Sequence, residues 1–217
     1  MKELTKYNRV AGYLEKIYRL INERFFENAL SIPVITIQST PDAYGHVSIN
    51  KRWDAGGEKK RELNIGAGTL NRPIEDITAT LVHEMVHIFN SENNIKDTSR
   101  GNTYHNKKFK EAAEARGLII EHHDKYGWTI TSPADDLIQA CIDWDLVDIR
   151  INRIEMYGIP VIGGTGGKIS GDERPKAKSS TRKYQCPKCG DSVRATKAVN
   201  IMCCSGKHDQ PYVMSEV

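Results

Sequence analysis

The chain has 217 residues, of which 39% are hydrophobic and 27% are charged, and this composition is ordinary for a globular protein with a buried core. No stretch approaches the roughly 18 apolar residues of a membrane span, and residues 1–10 lack the apolar run of a secretory signal. We therefore expect a soluble, cytoplasmic protein with no membrane partner.

The charge is distributed unevenly along the chain. The formal net charge is +3, but residues 160–217 carry ten Lys and Arg against five Asp and Glu, whereas residues 1–159 carry 21 against 23. The basic part is therefore the C-terminal quarter. An excess of this size is most often a solvated surface, so on its own it gives only weak support for a polyanionic partner.

The first third of the chain predicts one helix and three strands. Apolar residues recur every three or four positions through the first 25 residues, which indicates an amphipathic helix ending before Pro33: Leu4, Tyr7, Val10, Leu14, Ile17, Ile21 and Phe25. Residues 33–40, 44–50 and 61–68 alternate or are rich in β-branched side chains, with turn-forming residues between them. They predict a small three-stranded sheet.

Three more helices follow. Pro73 opens one of them, with Glu75 and Asp76 placed where acids suit the positive end of the helix dipole. The next runs from about 105 to 116, and the last from about 133 to 145. The predicted fold class is α+β.

The helix from 73 to 90 contains the motif His-Glu-x-x-His in the sequence LVHEMVHIFN. His83 and His87 lie one helical turn apart, off the apolar stripe, so their rings can bind one metal ion from the same side. Glu84 is rotated away from the metal but within reach of a metal-bound water. This pattern predicts a catalytic zinc ion with Glu84 as the general base.

A catalytic zinc ion takes three protein ligands and keeps one open position. Asn93 excludes the metzincin continuation, which requires a histidine there. We predict His105 as the third ligand, oriented by Phe109 and Ala112 of its helix. The competing candidates are two acids on that helix, Glu111 and Glu114, and two adjacent histidines, His122 and His123. We interpret the two histidines as surface residues. His46, on a predicted strand, we interpret as a residue at the rim of the site.

The C-terminal part predicts a second metal site. Residues 160–183 are rich in Gly, Ser, Lys and Pro, which is typical of a flexible linker. Residues 184–217 are too short to bury a core, so a structural zinc ion would have to stabilise them. Cys186 and Cys189 form a CPKCG knuckle, and His208 with Cys203 completes the predicted ligand set, with Cys204 as the alternative to Cys203.

Taken together, these motifs resemble those of the SprT-like (Spartan-related) zinc metalloprotease family. The resemblance rests on LVHEMVHIFN, on the downstream GNTYHNKKFKEAAEARG and on the CPKCG knuckle, and it covers most of residues 5–217. It implies a zincin-like domain over 1–159 and a zinc ribbon over 184–217. It also implies that His83, His87 and His105 bind zinc and that Glu84 is the base.

The resemblance further implies protein substrates that are bound or crosslinked to DNA. The departure from the family pattern is the absence of a second CxxC in the ribbon. Lys and Arg interleaved with the ribbon cysteines suit contact with a DNA backbone. Two alternatives stay open: a catalytically silent DNA-binding adaptor and a zinc hydrolase of non-peptide substrates.

Overall fold

The computed structural model describes residues 4–40, 43–154 and 182–217. The chain forms two compact units, Met1–Glu173 (unit 1) and Arg174–Val217 (unit 2). Most of the predicted linker at 160–183 lies outside the described residues, but Arg182 and Lys183 belong to the first strand of unit 2. Within the described ranges, no helix is long and apolar enough to cross a bilayer.

The described part of unit 1 contains the four helices that the sequence predicts. They are α1 (Tyr7–Phe26), α2 (Ile74–Glu92), α3 (Lys107–Glu114) and α4 (Asp135–Asp143). Val10, Leu14, Ile17 and Ile21 of the predicted apolar stripe are fully buried. Phe25 is half-buried and Tyr7 in the first turn is exposed, so the stripe reaches the core only from Val10 onward. This helix ends where Glu27 and Asn28 adopt the left-handed conformation, with φ of 54° and 59°.

The predicted three-stranded sheet is present, with shorter strands than expected. It contains β1 (Val34–Gln38), β2 (Gly45–Val47) and β5 (Glu62–Gly66) in the order β1-β5-β2. β5 is parallel to β1 and antiparallel to β2. β2 is therefore an edge strand. A hairpin of β3 (Trp53–Ala55) and β4 (Glu58–Lys60) lies between β2 and β5 in the chain.

A second sheet was not predicted, so the expectation of a single three-stranded sheet is incomplete. Its strands pair in the order β6-β7-β9-β8: β6 (Thr98–Ser99), β7 (Tyr104–His105), β8 (Leu118–His123) and β9 (Gly127–Pro133). β6 and β7 are two residues long, too short to leave a periodic pattern. A register shift at Glu121/His122 interrupts the alternation along β8.

Helix α2 is the central element of unit 1. It packs against β2, β9, α3 and α4, and it buries not only its apolar stripe but also Thr80, His83 and Glu84. Its first turn has no side-chain cap on Pro73; instead, the Ile74 amide donates to Asp148 Oδ1 at 3.1 Å. The face that carries the histidines is therefore interior, which the helical periodicity alone did not show.

The described part of unit 2, residues 182–217, contains five short strands. They are β10 (Arg182–Gln185), β11 (Ser192–Ala195), β12 (Met202–Cys203), β13 (Tyr212–Val213) and β14 (Ser215–Glu216). The sheet order is β11-β10-β14, and β12 pairs with β13. Among residues 182–217, the buried hydrophobic cluster contains Tyr184, Cys186, Cys203 and Met214 and no other buried residue. A core of this size does not hold a chain folded unaided.

Gly127 fixes the position of β7 against β9. It has φ of +75°, and an added Cβ would overlap the His105 carbonyl oxygen and lie 2.8 Å from Cε1 of Tyr104. We expect Gly127→Ala to lower the free energy of unfolding of unit 1 by about 3 kcal/mol or more, because a left-handed backbone and a steric overlap add together. Urea unfolding measures this change.

Gly101→Ala is the matched control. Gly101 has a similar φ of +68°, but an added Cβ there would meet no atom within 4 Å. Only the backbone cost of about 1 kcal/mol should appear. Equal losses for the two variants would mean that close packing of Gly127 on β7 contributes nothing.

Candidate metal centres

Three histidines converge in unit 1. His83 and His87 come from α2 and His105 from β7, and their ligand atoms lie within 4.8 Å of one another. The Nε2 atom of His105 is 3.3 Å from Nε2 of His83 and 3.1 Å from Nε2 of His87. At a Zn–N distance of about 2.0 Å, two nitrogens on a tetrahedral ion lie about 3.3 Å apart. The spacing therefore fits one shared metal ion.

The protonation of His83 is set by a relay of hydrogen bonds. The Thr131 hydroxyl donates to the Thr129 carbonyl at 3.1 Å. Since its one proton is used there, Thr131 Oγ1 accepts from Nδ1–H of His83, at 2.9 Å. Nε2 of His83 then carries a lone pair and faces the other two rings.

His87 is oriented by a carboxylate. Its Nδ1 lies 2.8 Å from Asp97 Oδ2, which also accepts from Asn90 Nδ2 at 3.1 Å. Burial lowers the pKa of His87, but the hydrogen bond and charge of Asp97 outweigh it, so the net shift is upward. An Nδ1–H held by a carboxylate makes Nε2 a more basic ligand.

The other two histidines are held neutral. Burial, followed by the nearby His87, lowers the pKa of His105 to about 3. Burial and the other two histidines lower the pKa of His83 well below its usual value. Neutral rings whose lone pairs face one another repel, so this arrangement fits a bound cation.

Phe109 packs beneath the three rings. It is fully buried, and its ring centroid lies 4.5, 4.7 and 4.6 Å from those of His83, His87 and His105. The prediction that Phe109 faces inward and supports His105 is confirmed. The local structure differs from the prediction in one respect: His105 lies in β7 and does not open the helix, because the Asn106 side chain caps α3 through the amides of Lys108 and Phe109.

Glu84 lies beside this group, and its carboxyl is buried. Burial raises the pKa of Glu84 to about 7, against the opposing effects of His87 and of a hydrogen bond from the Val47 amide in β2. The close approach of β2 to α2 depends on Gly45, where an added Cβ would lie 2.9 Å from the Asn64 carbonyl and 3.2 Å from Thr80 Cγ2. The edge of the first sheet thus lies directly against the glutamate.

The competing candidates lie elsewhere in unit 1. Glu111 and His46 are exposed, and Glu114 pairs with Lys110. His122 makes a hydrogen bond with the Tyr104 hydroxyl at 3.3 Å, and His123 stacks on Tyr126. None of the five belongs to the cluster formed by His83, His87 and His105 within the described residues.

A second ligand group lies in unit 2 and contains Cys186, Cys189, Cys203 and His208. Sγ of Cys189 and Sγ of Cys203 are 3.6 Å apart, and Nε2 of His208 is 3.3 Å from Sγ of Cys203 and 3.7 Å from Sγ of Cys186. These distances are close to those between thiolate and imidazole ligands of one tetrahedral ion.

The backbone of the CPKCG turn favours a thiolate at Cys186. Burial raises the pKa of the Cys186 thiol, but the amides of Cys189 and Lys188 point at the sulfur and lower it to about 6. Cys204, the alternative ligand, is exposed and outside the group. Of the two adjacent cysteines, Cys203 is therefore the one placed to bind.

The sequence analysis missed two orienting residues, Thr131, which contacts His83, and Asp97, which contacts His87. A general signal was available, because a histidine that binds metal through Nε2 needs a partner for Nδ1. Asp97 is an acid in the segment that joins α2 to His105, so it could have been predicted as the partner of a histidine Nδ1. Thr131 lies in β9, a strand that was not predicted, and no sequence signal identifies it.

The fold and the two ligand groups define an α+β protein with two candidate metal centres. No protein-family model, no curated protein and no solved structure matches the chain.

We expect two bound metal ions per full-length chain. His105→Ala removes one of three ligands from unit 1 and should leave one ion, and Cys203→Ser should likewise leave only the ion of unit 1. Elemental analysis of the purified variants after dialysis measures the metal content.

Two variants serve as controls for metal content. Glu111→Ala alters an exposed acid on α3, and Cys204→Ser alters the exposed cysteine next to Cys203. Both should retain two ions. Loss of an ion in Cys204→Ser with retention in Cys203→Ser would reverse the ligand assignment in unit 2.

Proposed function

We propose that the protein is a zinc endopeptidase related to the SprT-like family, with a zincin-like unit 1 and a zinc ribbon in unit 2. The observation that carries the proposal is the convergence of the Nε2 atoms of His83, His87 and His105 beside the buried Glu84 carboxyl. Three imidazoles in one site, and three thiolates with one imidazole in the other, are typical zinc ligand sets.

Zinc bound by the three histidines would supply Lewis-acid chemistry, lowering the pKa of a water and polarising the scissile carbonyl. Glu84 provides the base: its carboxylate accepts the proton of the attacking water and then donates it to the departing amine. The histidines contribute through Nε2 atoms aimed at the site, because Thr131 and Asp97 hold Nδ1 of His83 and His87. Burial of Glu84 keeps bulk water from competing for its proton.

The edge strand β2 supports a peptide substrate over a small molecule. The Tyr44 carbonyl and the Ser48 amide bond to β5. By alternation, the backbone groups of Gly45 and Val47 point away from β5. The Val47 amide already reaches Glu84. An extended peptide added along this edge would therefore place its backbone next to the base.

Unit 2 supports substrates held on DNA. Residues 182–217 carry six Lys and Arg against three Asp and Glu. Arg182 pairs with Glu216 and Lys207 with Asp191, whereas Lys188 and Lys197 form no ion pair with any described residue. Exposed lysines without an ion-pair partner suit contacts with phosphates. Such contacts would raise the concentration of unit 1 near DNA-bound protein.

Glu84→Gln tests the chemistry. The amide keeps the shape of the side chain but cannot accept a proton, so cleavage of an unstructured protein such as casein should fall by roughly 10² to 10⁴. Both metal ions should remain. Glu92→Gln, an exposed glutamate at the end of the same helix, should cleave at the wild-type rate. Near wild-type turnover in Glu84→Gln would exclude this residue as the base.

A double variant, Lys188→Gln with Lys197→Gln, tests the DNA contact of unit 2. Each lost phosphate contact should lower duplex affinity and reduce the slope of log affinity against log salt by about one. DNA-stimulated cleavage should fall while casein cleavage without DNA persists. Fluorescence anisotropy at several salt concentrations measures the slope.

Lys6→Gln with Lys16→Gln removes the same charge from exposed positions of unit 1 and is the control. Equal effects of the two double variants would show that only net charge matters. Unit 2 would then be better interpreted as a structural or protein-docking module.

A further inference from the structure

A fixed cation lies beside α2, one helical turn before Glu84. The guanidinium of Arg72 lies 3.9 Å from the ring centroid of Tyr44, and its Nη2 donates to Thr80 Oγ1 at 3.1 Å. Nε of the same guanidinium donates to the Thr69 carbonyl at 3.0 Å. The aromatic ring and these hydrogen bonds hold the charged group in one position.

Arg72 forms no ion pair with any described residue. The acceptors of its hydrogen bonds are the carbonyls of Thr69 and Asp76 and the hydroxyl of Thr80, which are all neutral. Burial lowers the pKa of Arg72, against the smaller opposing effects of Tyr44 and Asp76. The group stays charged at neutral pH, because the usual pKa of arginine is so high. A partly desolvated charge of this kind favours an anionic ligand.

The guanidinium still has donors to offer. A guanidinium has five N–H bonds, and the hydrogen bonds to Thr69, Asp76 and Thr80 use three, which leaves two among the described contacts. Arg72 and Tyr44 are both half-buried, so the stacked groups are partly open to solvent. A planar group with two remaining N–H bonds matches the two oxygens of a carboxylate.

The cation is aligned with the free edge of β2. Tyr44 directly precedes this strand, and Thr80, which accepts from Arg72, packs against the first residue of the strand. At the other end of β2, the Val47 amide bonds to Glu84. Tyr44 and Val47 are three positions apart, which corresponds to about 10 Å in an extended chain. A peptide that lies along β2 with its scissile bond at Glu84 therefore has a residue beside Arg72 about three positions away.

We propose that Arg72, stacked on Tyr44, is a specificity-determining residue that binds an acidic side chain of the substrate about three residues from the scissile bond. The substrate carboxylate accepts from the two remaining N–H bonds of the guanidinium. This inference rests on the proposed peptidase function and adds a sequence preference that the metal centre alone does not supply. If Arg72 only ties residues 69–80 together, there is no such preference.

The test measures the cleavage of blocked peptides by the full-length, metal-loaded chain. One acetylated and amidated peptide without acidic residues is mapped for its cleaved bond by mass spectrometry. Glutamate or glutamine is then placed in turn at each neighbouring position. Glutamate should raise kcat/KM roughly tenfold over glutamine at a position about three residues from the cleaved bond, because a charge-assisted hydrogen bond is about this strong. The effect should occur on one side of the bond only, since Tyr44 lies at one end of β2.

Three variants assign the preference to a residue. Arg72→Gln should cleave the glutamate and glutamine peptides at equal rates. Arg72→Lys keeps the charge but not the planar group, so it should retain a preference of about threefold. Arg19→Gln, which removes an exposed arginine of α1 that pairs with Glu15, is the matched control and should keep the full preference. Each preference is a ratio within one variant, so partial unfolding lowers both rates and leaves the ratio unchanged.

Glu84→Gln separates this inference from the peptidase itself. In fluorescence anisotropy it should bind the glutamate peptide roughly tenfold more tightly than the glutamine peptide, although it cleaves neither. A wild-type chain that binds with this preference but cleaves no peptide would reject the peptidase and support the subsite.

Two results would overturn the inference. The first is equal binding and equal cleavage of the glutamate and glutamine peptides at every position, which would leave the peptidase standing wherever cleavage occurs. The second is a preference for glutamate that persists in Arg72→Gln, which would assign the recognition to another residue.

Discussion

Three imidazole nitrogens impose the main constraint on unit 1, because Nε2 of His105 is held 3.1 Å from Nε2 of His87 and 3.3 Å from Nε2 of His83. Their lone pairs repel, and burial of His83 and His105 leaves that repulsion poorly screened by solvent. The surrounding structure has to hold the three rings close together and offset the repulsion between their nitrogens. A shared cation would turn the repulsion into attraction, and the fold and the metal would then depend on each other.

Each part of unit 1 contributes to this arrangement. α2 supplies two ligands one turn apart, and its burial by β2, β9, α3 and α4 fixes their direction. β7 supplies the third ligand only because Gly127 allows β9 to approach it closely. Phe109 fills the space beneath the rings, so that none of them can rotate away. A mutation in any of these elements would move the site without touching a ligand.

The sequence predicted the helices and the first sheet because their patterns are local. The spacing of His83, Glu84 and His87 indicated the candidate metal centre of unit 1. The CPKCG turn indicated the candidate metal centre of unit 2. β6 and β7 were missed because they are only two residues long and depend on β9 for pairing. β8 and β9 are longer, but a register shift at Glu121/His122 interrupts the alternation of β8. The orienting role of Thr131 was missed with these strands, since a tertiary contact between β9 and α2 has no sequence period.

At His105 the side chain was predicted correctly and the backbone was not. Its selection as a ligand rested on residue type and chain distance, and the structure places it with the other two. The prediction that His105 opens the helix was wrong, because the Asn106 side chain caps the helix one residue later. An Asn that accepts from two amides sets the helix start after itself, which leaves His105 free to join the sheet.

Both ligand groups close chain loops of the same size. His83 and His105 are 22 positions apart, and so are Cys186 and His208. Loops this short cost little entropy to close, so bringing the two ends of each group together adds little to the cost of folding. A captured ion then acts as a crosslink that restricts the unfolded ensemble. The supply of metal during synthesis would therefore govern the yield of folded protein as well as its activity.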